Sequence, residues 1–276
     1  MAAPRLVKTS VSTTVPPPAA LLLPLVALTA AVLFLAAPWS FEHKAHAALH
    51  GLCAQRPSHS FALGDRTLPF DGRMTGIYGG FLATSIYLAV RGRYRAFRLP
   101  PPVVLGVLGL FVLALAVDGT NALLVDLRLW HPYDPDNRYR LATGLGTGIA
   151  LAVVLCFVLS TTLWRNGLWQ QTVLDGPKEL LTVLAVQTPL VLAVLSGAGW
   201  LYVPVSLLLL TAATLVLGSL MLVVVVLARN GDRAFSSAGQ LQIPAAVALV
   251  LAIAVMAGIA AGRFLLERVT DAPPLT

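Results

Sequence analysis

Residues 103–125, VVLGVLGLFVLALAVDGTNALLV, run for 23 positions with one charge, Asp118. A helix rises about 1.5 Å per residue, so this run is long enough to cross the ~30 Å hydrocarbon core of a bilayer. No soluble domain of ordinary size needs so long an apolar segment. Six further apolar runs lie at 21–37, 75–90, 141–164, 180–198, 201–227 and 243–261, and only the one at 75–90 is short. The expected fold is all-α, a polytopic transmembrane bundle of about seven helices.

Composition agrees with that reading. Hydrophobic residues make up 57% of the 276-residue chain and charged ones 11%, and the mean hydropathy is +0.81. Such a chain cannot cover a water-facing surface, so it needs lipid around it. The net charge of +7 would suit nucleic acid, but the Lys and Arg residues sit in short connections and tails rather than along one face. The lipid bilayer is therefore the expected partner, with other membrane proteins as candidates and nucleic acid excluded. Cys53 and Cys156 are the two cysteines, too few for a disulfide framework or a Cys-x-x-Cys pair.

Arg91, Arg93, Arg95 and Arg98 share one short connection without an intervening acid, which places it in the cytoplasm by the positive-inside rule. By alternation the N-terminus, with Arg5 and Lys8, is cytoplasmic, and the polar segments 39–74 and 126–140 lie outside. The run at 21–37 is longer than a signal-peptide core, and Ala45-His46-Ala47 lies too far beyond it for cleavage, so a retained signal anchor is expected. Residues 1–20, with Pro16, Pro17 and Pro18, are expected to be a disordered tail. The chain then divides into a four-helix portion, 21–164, and a three-helix apolar extension, 165–276.

Small residues recur at four-residue spacing in two runs, as Gly76, Gly80 and Thr84 and as Gly144 and Gly148. That spacing is what close helix packing in a membrane uses. Gln187, Thr188 and Pro189 predict a kink in the fifth run, because proline frees a backbone carbonyl.

Four of the five histidines fall within 39–74. On a helix His43, His46, His50 and Cys53 would share one face. An adjacent pair, His46 and His50, is a metal candidate, with His131 of the other outer segment as third ligand. The competing reading is an interfacial amphipathic helix anchored by Trp39 and Phe41, its histidines facing water or headgroups. Asp134 and Asp136 lie between Pro132 and Pro135, which suits a solvated cap, and they lack calcium-loop spacing. No cofactor other than a metal is suggested.

Asp118 sits roughly 10 Å inside the outer end of its helix, where an unpaired carboxylate costs a few kcal/mol. Asn121 shares its face. Arg73 and Arg140, at the mouths of the second and fourth runs, are the nearest basic residues by topology, and Thr75 and Thr143 follow them. These six form a candidate ligand or ion pocket, or else an ion pair that locks three helices together.

The stretch Cys53, Arg56, Pro57, Ser60, Phe61, Leu68, Pro69, Arg73, Thr75, Gly76, Ile77 and Tyr78 resembles a bacterial membrane protein family, domain of unknown function 2085. Asp118-Gly119 with Asn121, and 137–144, look like its later blocks. The family carries a histidine and two cysteines where this chain has Ala54, Asp71 and Met74. A single Cys53 cannot supply a thiolate cluster. The resemblance implies a bacterial inner (plasma) membrane location and no assigned activity.

Three functions are consistent with these features. The first is a non-catalytic protein or complex subunit with an outer polar pocket for a lipid, quinone or small ligand. The second is an outer-face membrane enzyme using Asp118, His131, Arg73 and Arg140, or a metal. The third is a channel or proton- or cation-coupled transporter using Asp118. The chain has no Gly-rich phosphate loop, His-Glu-x-x-His or Gly-x-Ser-x-Gly motif.

Overall fold

The computed structural model describes residues 21–270, so the tail expected over 1–20 lies outside the described residues. The chain runs α1 (Leu22–Ala36), α2 (Phe41–Leu49), β1 (Ser60–Leu63), β2 (Arg66–Asp71), α3 (Gly72–Val90), β3 (Ala96–Arg98) and α4 (Pro102–Asp126). It continues through α5 (Asn137–Leu163), β4 (Leu168–Thr172), α6 (Pro177–Val186), α7 (Thr188–Leu195), α8 (Tyr202–Ala228) and α9 (Gln242–Val269).

The all-α membrane bundle is borne out, with the helix count of seven approximate. Among the described residues, five segments are long and apolar enough to cross a membrane: Pro102–Asp126, Asn137–Leu163, Pro177–Leu195, Gly199–Ala228 and Ala238–Val269. The other two expected spans are weaker. α3 reaches 19 residues but is diluted by glycine, threonine and Arg73. α1, at 15 residues, is shorter still, so the short span is not the one the sequence suggested. α3 also begins earlier than expected, because Asp71 caps it, its Oδ1 accepting from the Met74 backbone N–H at 2.8 Å.

The α3 and α5 helices form the centre of the bundle, and the two small-residue stripes are the reason. They face one another: a Cβ on Gly80 would lie 2.8 Å from the Leu145 carbonyl oxygen, and Gly76, Gly144 and Gly148 leave still less room against the opposing backbone. The α4 helix packs on the outside of α5 and exposes Leu110, Leu113, Val117 and Leu123. That surface is stable only against lipid.

Contacts between connections show how the chain alternates between two ends. At one end β3 pairs in parallel with β4, and Trp164 bridges to Phe235. At the other, Gly64 N–H donates to the Gly197 carbonyl, Arg56 pairs with Asp126, and Asn137 donates to the Ser58 carbonyl. The last helices share the core of the first four: one apolar cluster joins Leu49, Leu68 and Leu141 to Val194, Tyr202 and Met256. The chain breaks between α6 and α7 at Gln187, as the Gln187-Thr188-Pro189 sequence predicts.

Candidate functional site

Asp118 and Arg73 meet at the end of the bundle where α3 begins. The Asp71 cap starts α3 just before Arg73, so its side chain emerges beside α4, and its Nη2 donates to Asp118 Oδ2 at 2.5 Å. Asp118 is 2% exposed. Its other oxygen accepts from the Tyr133 hydroxyl at 3.2 Å, and Asn121 Nδ2, one turn on, donates to the Tyr133 carbonyl at 2.8 Å. Tyr133 thus pins the α4–α5 connection over the carboxylate. Burial, with the Asp118 charge beside it, pushes the phenol up from its usual pKa.

Two buried polar atoms at this junction have no partner among the described residues, Arg73 Nε and Asn121 Oδ1. Arg140 is also buried, yet it does not bond Asp118. Its Nη1 donates to Asn137 Oδ1 at 2.7 Å, and Asn137 in turn holds the Ser58 and Ser60 carbonyls. Thr75 donates to the Phe70 carbonyl and Thr143 to its own helix at Tyr139, so neither hydroxyl turns to Asp118. The structure therefore gathers Arg73, Asp118 and Asn121, adds Tyr133, and sets Arg140 close by. Nothing in the spacing around Tyr133 marked it, because its contact depends on how the connection folds back.

His43, His46 and His50 keep their helical spacing, because His50 is still in helical conformation at the α2 C-cap and His46 lies close enough to the other two to feel their charge. α2 stops at Leu49, leaving His50 at its C-cap and Cys53 beyond it. His46 Nδ1 lies 3.3 Å from the Glu42 carbonyl, and its pKa is lowered chiefly by burial. His50 Nε2 pairs with Glu267 Oε2 of α9 at 2.9 Å, and its ring stacks on Phe264. His131 contacts Asp134 and the Leu129 carbonyl in the α4–α5 connection. Among the described residues no group of three or more His, Cys, Asp and Glu stands close enough together to hold a metal ion.

Cys53 is buried, and its sulfur accepts from the backbone N–H groups of Gln55 and Asp71, both at 3.4 Å. Burial, then the Asp71 charge, raises its thiol to about 11. The positions that resembled relatives fill with cysteine are thus adjacent in space here, yet they hold a carboxylate cap and a methionine. Arg263 of α9 closes this corner, donating to the carbonyls of His50 at 2.6 Å, Ala54 at 3.3 Å and Cys53. The same residue pairs with Glu267 one turn along α9. The four-residue Arg263–Glu267 spacing was visible in the sequence, but its target was not.

The opposite end holds a second buried ion cluster. Arg93, 5% exposed, bonds Asp175, Glu179 at 3.0 Å and the Thr172 carbonyl at 3.1 Å. One of the arginines read as a topology signal is therefore a structural tie between the α3–α4 and α5–α6 connections.

Residues 53–154 match DUF2085, a family of predicted membrane proteins. The matched segment contains Cys53, Arg73, Asp118, Asn121, Tyr133 and Arg140, and so the whole Asp118 junction. Residues from 155 onward, with the α6–α7 kink and Arg263, lie outside it. No curated protein and no solved structure matches the chain.

Proposed function

We propose that this membrane protein is a non-catalytic ligand-binding protein or membrane-complex subunit, and that the Asp118 junction holds the polar head of an amphipathic ligand at the outer face. The observation that carries this reading is the unpartnered Arg73 Nε beside a carboxylate that is 2% exposed. A buried donor is normally satisfied, and an unsatisfied one costs about 1–3 kcal/mol or more when charged. Arg140, with one neutral side-chain partner, offers further donors next to it. Both guanidinium groups suit a head rich in acceptors: a phosphate, a carboxylate or a quinone carbonyl. The lipid-facing flank of α4 leaves the ligand's apolar part in the bilayer.

Native mass spectrometry of the protein released from mild detergent tests this. The wild type is expected to retain a lipid or small amphipathic molecule, and Asp118→Asn and Arg140→Gln are expected to lose it. The same bound species on all three proteins would leave the junction a purely structural lock.

A further inference from the structure

A cleft of about 290 Å³ opens between α4, α5 and the α6–α7 kink, lined by Phe111, Leu145, Gly146, Leu184, Gln187 and Thr188. It shares no residue with the Asp118 junction, and Leu184 and Thr188 face outward, so its mouth opens sideways onto the lipid. Gly146 sets its depth: a Cβ there would stand 2.8 Å from the Phe111 ring, so only glycine lets the ring sit this close to α5.

The cleft is apolar except at the kink, where two polar groups are left over. Gln187 is 3% exposed. Its Nε2 donates to Thr84 Oγ1 at 3.1 Å and to the Val183 carbonyl at 3.2 Å. A carbonyl only accepts, so that contact fixes which amide atom is nitrogen. Oε1 then faces no partner among the described residues. Thr120, Thr143, Thr182 and Thr214 satisfy their hydroxyls on the carbonyl four residues back. Thr188, just past the kink where Gln187 N–H donates to the Leu184 carbonyl, makes no such bond among the described residues. An unpaired acceptor and an unpaired hydroxyl at membrane depth are both expensive.

We infer that this cleft is a second, intramembrane ligand site, for an apolar molecule bearing one hydroxyl group that enters from the lipid. The hydroxyl donates to Gln187 Oε1 and accepts from Thr188, while the apolar body lies against Phe111, Leu145 and Leu184. The volume is that of a small ligand or of the head portion of a longer one. The inference does not depend on the Asp118 junction binding anything.

The test is photolabelling of the full chain in phosphatidylcholine vesicles, with a diazirine-bearing octanol and the corresponding diazirine-bearing octane as probes. Labelling is read by peptide mass spectrometry relative to lipid-facing Leu113. The octanol is expected to label the cleft residues about 10-fold more than the octane, the worth of one buried hydrogen bond. Excess unlabelled 1-octanol should abolish the difference, and Thr188→Val should reduce it. Gln187→Leu should remove it, though this change also cuts the tie to Thr84. Ala142→Phe, at the exposed mouth, breaks no hydrogen bond and should block labelling by filling the cleft. Equal labelling by octanol and octane, or labelling unchanged in Ala142→Phe, overturns the proposal.

Discussion

A Cβ placed on Gly144 would lie 3.1 Å from the Cα of Gly76, so α5 and α3 meet backbone to backbone at this point. Without a hydrophobic driving force between helices in lipid, such contact supplies the van der Waals packing that holds a pair together. Gly144→Val is therefore expected to lower stability by about 2–3 kcal/mol or more by forcing the helices apart. Gly218, with open space around it, should tolerate alanine. Thermal midpoints from size-exclusion chromatography in detergent separate the two.

The two partners of the Arg73–Asp118 pair differ in burial, with the Arg73 side chain 23% exposed and that of Asp118 2%. Arg73→Ala should destabilise by roughly 3 kcal/mol, because it strands the buried Asp118 carboxylate, and Asp118→Ala by less, because Arg73 can still reach water. The double change Arg73→Met with Asp118→Leu should recover most of the Arg73→Ala loss, since two apolar side chains need no partner. If the double variant is no more stable than Arg73→Ala in the same assay, the pair is not the lock described.

Cys53 predicts a specific pH response. Its thiol rises from 9.0 to about 11 in the folded protein, chiefly through burial. The folded chain thus binds this proton more tightly than the unfolded one. The resulting stability is complete below pH 9 and is lost as pH climbs through about 11. At pH 8 the thiolate is only about one part in 1,000, so a maleimide should react with Cys53 roughly 100-fold more slowly than with the unfolded chain. The rate should be measured in a Cys156→Ala background. Arg263→Leu, which frees the carbonyls at this corner, should speed the reaction, and an unchanged rate would show that α9 does not hold the corner shut.

At the opposite end, hydrogen bonds from Arg93 and Thr172 pull the Asp175 carboxyl below its ordinary value of 3.8. The sign is opposite to that of Cys53. Stability from this contact is complete above about pH 4 and disappears as pH falls through the lowered folded value. Asp175→Asn should lose about 1 kcal/mol or less, because the carboxylate is half exposed and screened. Arg93→Met should lose more, since it takes the nearest cation from Glu179, whose side chain is 9% exposed, and leaves it only the longer contact to Arg91 at 3.6 Å. Acid-unfolding curves of the two variants against the wild type check both statements.

Much of the architecture was legible because it depends on local sequence. Long apolar runs, Gly76 and Gly144 at helical spacing, and Pro189 in mid-helix carry their consequences within a few residues. The boundaries were less legible: α3 begins at Gly72 because Asp71 caps it, and α1 is shorter than its apolar run. The candidate junction was half legible. Asp118 had to have a partner in the membrane, and topology offered both Arg73 and Arg140, but only the packing of α3 against α5 chooses Arg73. Tyr133 was invisible, because its hydroxyl reaches Asp118 only when the connection folds over α4. The histidine stripe was legible in part: His43, His46 and His50 stay together on α2 and its C-cap, while the helix ends before Cys53.

The sequence by itself determined that this chain lives in lipid, where its helices run, which faces of α3 and α5 approach and where α6 gives way to α7. Each of these follows from hydrophobicity and backbone geometry over short distances. Only the tertiary structure decided that Asp118 pairs with Arg73 under Tyr133, that Arg263 closes the Cys53 corner, that Arg93 is buried among acids, and that Gln187 meets a lipid-facing cleft. Those contacts join residues up to 213 positions apart, as for His50 and Arg263. A polar side chain in a membrane must find a partner, and sequence spacing over such distances does not specify which one.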